Sequence, residues 1–171
     1  DTPSIIYTCK TCAAGQATAN NNSSCSNCVA GKFQSSTATE YGCKFCQEGK
    51  SFTSKQSECV DCAAGQYAGV VGEGSCTDCA SGKYTAVAGM WECDICGLGR
   101  YSPIGSFACA VCVAGRNDDD SDPSTPCVGC ETGKYSGAEW TNCTTCAAGR
   151  ADLDSDPATA CVACGVGEYA A

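Results

Sequence analysis

Every cysteine in this chain sits in a C-x-x-C pair, and the pairs recur at a nearly fixed interval. They begin at Cys9, Cys25, Cys43, Cys59, Cys76, Cys93, Cys109, Cys127, Cys143 and Cys161, with successive starts 16 to 18 residues apart. After each second cysteine comes x-x-Gly, without exception: Gly15, Gly31, Gly49, Gly65, Gly82, Gly99, Gly115, Gly133, Gly149 and Gly167. A glycine at one offset in all ten units marks a backbone position that needs positive φ or close approach to a neighbour. A polar or charged residue follows the glycine, and an aromatic usually follows that: Phe33, Tyr67, Tyr84, Tyr101, Tyr135 and Tyr169, with Phe52 one place late. These rings, together with Trp91 and Trp140, are expected to cover the disulfide of an adjacent unit, as the largest apolar groups available.

Such a chain cannot build an ordinary core. It holds two Leu, four Ile, ten Val and four Phe in 171 residues, too few for the continuous apolar interior of a domain that size. Its 20 cysteines exceed the roughly 8–10% that marks a disulfide scaffold, and cross-links must limit the entropy that apolar burial would otherwise offset. The fold class expected is therefore a small disulfide-rich repeat array, an elongated rod of ten modules of about 17 residues. Short β-strands paired as hairpins, with little or no helix, fit the brief segments between turns. Residues 1–8 form an N-terminal β-prone segment, and residues 9–171 the ten tandem repeats, with no linker between them. Units so small stack on their neighbours rather than fold alone.

Three chemistries use C-x-x-C. Two pairs separated by some 15–20 residues give a zinc-ribbon spacing, and five such sites would fit the count. The absence of histidine and the net charge of −9 weigh against zinc, as do the sequons at Asn21, Asn22 and Asn142. Thioredoxin-like motifs occur singly at a helix start in a β/α fold. An even cysteine count favours disulfides and an oxidising, secreted or cell-surface setting. The two-residue gap strains a bond inside a pair, so bonds should run between pairs. Either the second cysteine of each pair joins the first of the next, or pairs cross-link two by two; spacing alone does not choose.

The unit C-x-x-C-x-x-G-[KQR]-[YF] followed by C-x-x-C resembles the ephrin-receptor-like cysteine-rich repeat, and more loosely the first module of TNF-receptor cysteine-rich domains. The stretches Gly115–Pro123 (GRNDDDSDP) and Gly149–Pro157 (GRADLDSDP) resemble variants of that repeat in long surface proteins of algae and other protists. The likeness spans Cys9 to Tyr169. It implies the sequential pairing: Cys12–Cys25, Cys28–Cys43, Cys46–Cys59, Cys62–Cys76, Cys79–Cys93, Cys96–Cys109, Cys112–Cys127, Cys130–Cys143 and Cys146–Cys161. Function does not transfer so directly, because such repeats serve as stalks and as interaction modules.

Sequential pairing leaves Cys9 and Cys164 as candidates for bonds between units. Seven residues follow Cys164 and eight precede Cys9, so a head-to-tail join would place 15 residues between them, against 12–14 in the nine internal loops. The chain opens on Asp1 rather than Met and shows no signal peptide, which fits a mature or excised segment. The expected role is an extracellular structural protein, one period of a glycosylated fibre, filament or surface coat assembled from copies of itself head to tail. Ser4–Tyr7 would pair with Gly167–Ala170 across the junction. The alternative is a receptor or adhesin ectodomain acting as a stalk or ligand-binding module.

Other features add less. Asp118, Asp120 and Asp122, then Asp152, Asp154 and Asp156, set carboxylates at alternate positions before a proline. That resembles the start of a calcium loop but lacks the glycine and distal glutamate of an EF-hand; acidic turns capped by their own side chains are the alternative. Calcium is the one cofactor considered. Glycans are expected at Asn21, Asn22 or Asn142 and on the abundant serines and threonines. The ten basic residues are scattered singly, unlike a nucleic-acid-binding face. No apolar run approaches the ~20 residues of a membrane span. With no histidine base and no thiol left free inside the ladder, an enzymatic role has no residues to carry it.

Overall fold

A computed structural model describes residues 8–21, 23–37 and 41–170. Ser4–Tyr7 therefore lies outside the described residues. Among them there is no helix; every strand is two residues long, and 18 strands form nine antiparallel hairpins. The chain is a small disulfide-rich repeat array. It divides into two compact units that interleave along the sequence. The first gathers Asp1–Cys62, Ala68–Cys76 and Gly89–Trp91; the second gathers Ala63–Tyr67, Thr77–Ala88 and Glu92–Ala171.

One hairpin shows why the motif has its spacing. The Gln66 N–H donates to the Ala63 carbonyl at 3.0 Å, closing a four-residue turn with Gly65 third at φ +85°. A positive φ at that place defines a type II turn and calls for glycine. Gln66–Tyr67 then pairs with Thr77–Asp78, which are the two residues inside the next C-x-x-C. The Cys79 N–H donates to the Gly65 carbonyl at 2.9 Å and extends the ladder by one bond. Each C-x-x-C thus supplies an outer strand, and each x-x-G a turn. A two-residue hairpin is not stable by itself. Disulfides brace all nine, each joining the second cysteine of one pair to the first of the next.

In the first unit these bonds are Cys12–Cys25, Cys28–Cys43, Cys46–Cys59 and Cys62–Cys76. In the second they are Cys79–Cys93, Cys96–Cys109, Cys112–Cys127, Cys130–Cys143 and Cys146–Cys161. Cα–Cα distances of 5.5–5.9 Å lie in the ordinary range.

Most of the buried side chains fall in two columns. One is the second cysteine of each pair, buried from Cys12 through Cys112. The other is the residue three places after the repeat glycine. Gln34 and Ala68 in the first unit, and Thr85, Ser102, Asp118 and Ser136 in the second, are buried. This column carries many of the hydrogen bonds between repeats. In the second unit Gly65, Gly82 and Gly115 donate their N–H to the carbonyls of Thr85, Ser102 and Ser136 at 2.8–3.0 Å. The hydroxyls return the contact: Ser102 donates to Lys83 O at 3.0 Å and Ser136 to Arg116 O at 2.9 Å. In the first unit Gly15 and Gly49 donate to Gln34 O and Ala68 O, both at 2.8 Å. Phe52 holds the same place but is too large to bury fully, and Gly31 makes no such bond.

A second contact reaches two repeats ahead. In the first unit a Cβ on Gly49 would lie 2.1 Å from Gly89 O, and one on Gly31 would lie 2.8 Å from Gly72 O. In the second, a Cβ on Gly65 would lie 2.2 Å from Gly105 O, and one on Gly99 would lie 2.2 Å from Glu139 O. Backbone packs on backbone there, and the gap admits only small side chains. That is why the rings do not form the core. Phe33, Tyr67, Tyr84, Tyr101 and Tyr135 are half-buried, and Tyr169, Trp91 and Trp140 are exposed; Trp140 meets the Tyr135 ring at 6.0 Å.

The glycine contact is directly testable. Gly65→Ala adds the cost of a left-handed alanine to a backbone overlap. It should lower stability by about 3 kcal/mol and speed amide exchange at Cys79 and Thr85. Gly74→Ala, where an added Cβ meets nothing within 4 Å, should change stability by less than about 0.5 kcal/mol. Equal effects at the two positions would remove close approach as the reason for the motif.

Candidate functional site: free thiols, sequons and acidic loops

Two cysteines are free: Cys9, exposed, and Cys164, partly exposed. Their places in the ladder are complementary. Cys164 follows the strand Val162–Ala163, and its N–H donates to Gly149 O at 2.9 Å. It therefore stands where every other second cysteine reaches forward to the next repeat. Cys9 is a first cysteine, three residues before Cys12, and stands where every other first cysteine is reached from behind.

Asn21 is exposed and its Oδ1 accepts from the Tyr41 hydroxyl. The Ser23 hydroxyl, third residue of its sequon, accepts the Ala19 and Asn20 N–H groups at 3.0 Å and donates to Asn20 O. Asn22 lies outside the described residues. Asn142 is exposed, with its amide donating to Thr141 Oγ1 at 3.3 Å; the next residue, Cys143, is held by its disulfide to Cys130.

The two acidic loops share one design. In the first, Asp120 Oδ1 accepts the Asp122 N–H at 2.9 Å and the Thr125 hydroxyl at 3.1 Å, and Asp122 Oδ1 accepts the Ser124 N–H. In the second, Asp154 accepts from Asp156 N–H and Thr159, and Asp156 accepts from Ala158 N–H. Ser121 and Ser155 sit at φ +56° and +57°. The carboxylates thus close their own turns. Asp118 points elsewhere: its Oδ2 accepts the Gly99 N–H at 3.0 Å. Asp152 is half-buried, its Oδ1 without a hydrogen-bond partner among the described residues. Among those residues no three His, Cys, Asp or Glu side chains are grouped as a metal ion would require, and no helix is long and apolar enough to cross a membrane.

Residues 49–92 match the family model described as tyrosine-protein kinase ephrin type A/B receptor-like. A search of curated proteins gave no match. The matched stretch runs from Gly49 through Cys59–Cys62, Gly65 and Cys76–Cys79 to Gly82 and Trp91, and it has the same turn, hairpin and disulfide as the flanking units. Residues 49–92 therefore carry a cysteine-rich ephrin-receptor-like repeat, and the same C-x-x-C disulfide pattern recurs in the flanking units. Nine disulfides and repeats of this kind fit an extracellular or cell-surface module, and the repeat family is typically non-enzymatic.

The acidic loops have a pH signature. Backbone N–H donation from Asp122, then the Thr125 hydroxyl, hold the Asp120 carboxyl below the usual aspartate value. Asp156 N–H and Thr159 act likewise on Asp154. A carboxyl depressed in the folded state stabilises above its unfolded value, and that contribution disappears as pH falls through the lowered one. Both turns should therefore hold at neutral pH and loosen below the ordinary aspartate value of 3.8. Amide exchange at Asp122, Ser124, Asp156 and Ala158, corrected for its intrinsic pH dependence, should quicken there. Asp120→Asn should remove the pH dependence of the first loop only.

Proposed function

We propose that this chain is a structural protein of an extracellular fibre, filament or surface coat, its copies joined head to tail through Cys164 of one and Cys9 of the next. The observation that carries the reading is the placement of the two free cysteines. They are the forward-reaching and backward-reaching halves of the same ladder that pairs the other 18. Joining them repeats a bond the chain already makes nine times. The two thiols lose two protons and pass two electrons to a disulfide oxidant by thiol–disulfide exchange, as for the internal bonds. Sugars on exposed Asn21 and Asn142, on Asn22 and on surface hydroxyls would keep the weakly apolar array soluble and resistant to proteases.

A receptor or adhesin ectodomain is the second reading. It is favoured by the ephrin-receptor-like match over residues 49–92, and a membrane-spanning segment encoded in the same gene would support it over the fibre.

The deciding experiment is a non-reducing peptide map of an equal mixture of isotopically light and heavy chains, with free thiols alkylated first. The fibre reading expects a Cys164–Cys9 peptide of mixed isotopic composition alongside Cys12–Cys25 and its successors. Alkylated Cys9 and Cys164 in otherwise oxidised material would overturn it. So would crossed bonds such as Cys9–Cys25 with Cys12–Cys28, which make each chain self-contained. Asn21→Gln, Asn22→Gln and Asn142→Gln should each remove a glycan mass where that sequon is used.

A further inference from the structure

The basic residues are scattered singly along the sequence, yet the repeat gathers them. Seven of the ten follow a repeat glycine directly: Lys32 and Lys50 in the first unit, and Lys83, Arg100, Arg116, Lys134 and Arg150 in the second. The second unit has no other basic residue. In that unit Gly65, Gly82 and Gly115 make the same bond to the next repeat, and Gly99 makes its bond to the Asp118 carboxylate. One relation between neighbours, applied repeatedly, carries equivalent residues along a continuous line. The five cations therefore recur along this unit, one per repeat.

Each of them starts a two-residue strand, and its cross-strand partner shares its face. Those partners are Ile95, Val111, Gly129, Thr145 and Ala163, all exposed and none charged. In the first unit the same position is already satisfied: Lys50 meets Asp61 at 2.5 Å, and Lys32 lies over the Phe45 ring at 4.2 Å. In the second, Lys83 is exposed and has no hydrogen-bond or ion-pair partner among the described residues. Arg116 and Arg150 each donate through Nη1 to a neutral acceptor, Cys127 O at 2.8 Å and Cys161 O at 2.9 Å. Arg100 and Lys134 pair with Glu139 and Glu131, both at 2.7 Å. These are exposed ion pairs of the kind that add little, and another anion can replace either carboxylate.

We infer that this line of cations in the second unit is a binding surface for a linear acidic polysaccharide, a chain of sugars bearing carboxylate or sulfate groups. Charge complementarity supplies the attraction, and contacts spaced one per repeat reinforce one another along a polymer that reaches several at once. The net charge of −9 does not oppose this at close range. Physiological salt screens charges beyond about 8 Å, and Asp120, Asp122, Asp154 and Asp156 are turned into their own loops. Sugar suits the face better than nucleic acid does. Single strands need aromatic platforms for their bases, and Tyr84, Tyr101 and Tyr135, next in each strand, fall on the opposite face. Gly129, Thr145 and Ala163 are small enough to leave room for a sugar ring, while Ile95 and Val111 offer contact to its C–H groups. The inference needs one chain only, and stands whether or not Cys164 and Cys9 join.

Titration calorimetry of the full oxidised chain against polygalacturonate, dextran sulfate and uncharged dextran, at about 50 and about 200 mM salt, tests it. The expected result is binding to one or both acidic polymers, which tells carboxylate from sulfate, and none to dextran. Affinity should fall steeply with salt. Lys83→Gln/Arg100→Gln/Lys134→Gln should weaken binding by about tenfold or more and flatten the salt dependence. The control, Lys10→Gln/Lys44→Gln/Lys55→Gln, removes equal charge from the three cations that lie off the line. It should change affinity by less than about twofold. Amide exchange at Gly65 and Thr85 should match the wild type in both variants, showing the array intact. Arg116 and Arg150 are kept because they also bond to Cys127 and Cys161.

No binding to either acidic polymer at the lower salt would overturn the inference. So would equal losses in the two triple variants, which would make the attraction one of overall charge. Polyglutamate bound as tightly as the acidic sugars would give the line to an acidic polypeptide instead. None of these outcomes depends on the peptide map: a chain with Cys9 and Cys164 free can bind the polymer, and a disulfide-linked fibre can fail to.

Discussion

The close approach of the repeat glycines from Gly15 through Gly115 to a loop two repeats further on is the constraint from which the rest follows. With a carbonyl where a methyl group would stand, as at Gly49 and Gly65, the backbones are as near as sterics allow. Little room is left between them for side chains. The buried column three places after the glycine is accordingly made of small or polar residues such as Ala68, Thr85, Ser102 and Ser136, whose backbone and hydroxyl groups bond across the gap. A conventional apolar core would force the repeats apart. The scarcity of Leu and Ile is thus a condition of the packing as much as a reason for the disulfides.

Covalent and non-covalent links run at different ranges, and the difference matters for cooperativity. A disulfide closes a loop from one pair to the next, worth about 3 kcal/mol in the chain-entropy model for loops of this length. It braces a two-residue hairpin that would not persist alone. The glycine contact and the loop hydrogen bonds, such as Gly105 N–H to Cys79 O at 2.7 Å and Thr85 N–H to Ser106 O at 3.3 Å, tie a repeat to those that follow it. Solenoids are commonly treated as sums of nearest-neighbour terms. Here a next-nearest term is built in, so a repeat is finished only when two more have been added.

Much of this architecture is written in the cysteine and glycine positions. The short hairpins follow from turn chemistry, and the invariant glycine marks a positive φ, as at Gly65. Two further signals lie in the sequence. The position three after each glycine is Thr18, Gln34, Phe52, Ala68, Thr85, Ser102, Asp118, Ser136, Asp152 or Ala170, a run of mostly small residues as regular as the aromatic run beside it. A second glycine four residues before the next cysteine, at Gly72, Gly89 and Gly105, marks the loop that reaches the neighbour. Apolar area ordinarily locates a core, and that guide fails where backbone contact defines the interior. Disulfide pairing was not legible from spacing, since both schemes close loops of plausible length. The acidic stretches resembled ion ligands because side-chain direction is invisible in a sequence. In space Asp120, Asp122, Asp154 and Asp156 cap their own turns. They occupy loops in which a serine, Ser121 or Ser155, takes a positive φ.

This construction bears on what such a chain is suited to do. Its interior is made of backbone, half-cystine and hydroxyl groups, and what it repeats is a mode of contact with the next unit. Specificity for a small molecule needs a shaped, largely preformed cavity with convergent groups. The opening around Gly133 and Asp152 is lined in part by exposed residues such as Ala148 and Arg150. Because the contact is made by backbone at glycine and by a small buried residue, the outward-facing strand pairs such as Val60–Asp61, Asp94–Ile95 and Thr144–Thr145 are free to vary without disturbing it. A protein built this way keeps its packing rule in the cysteines, glycines and small residues, and leaves its outward strands free to vary.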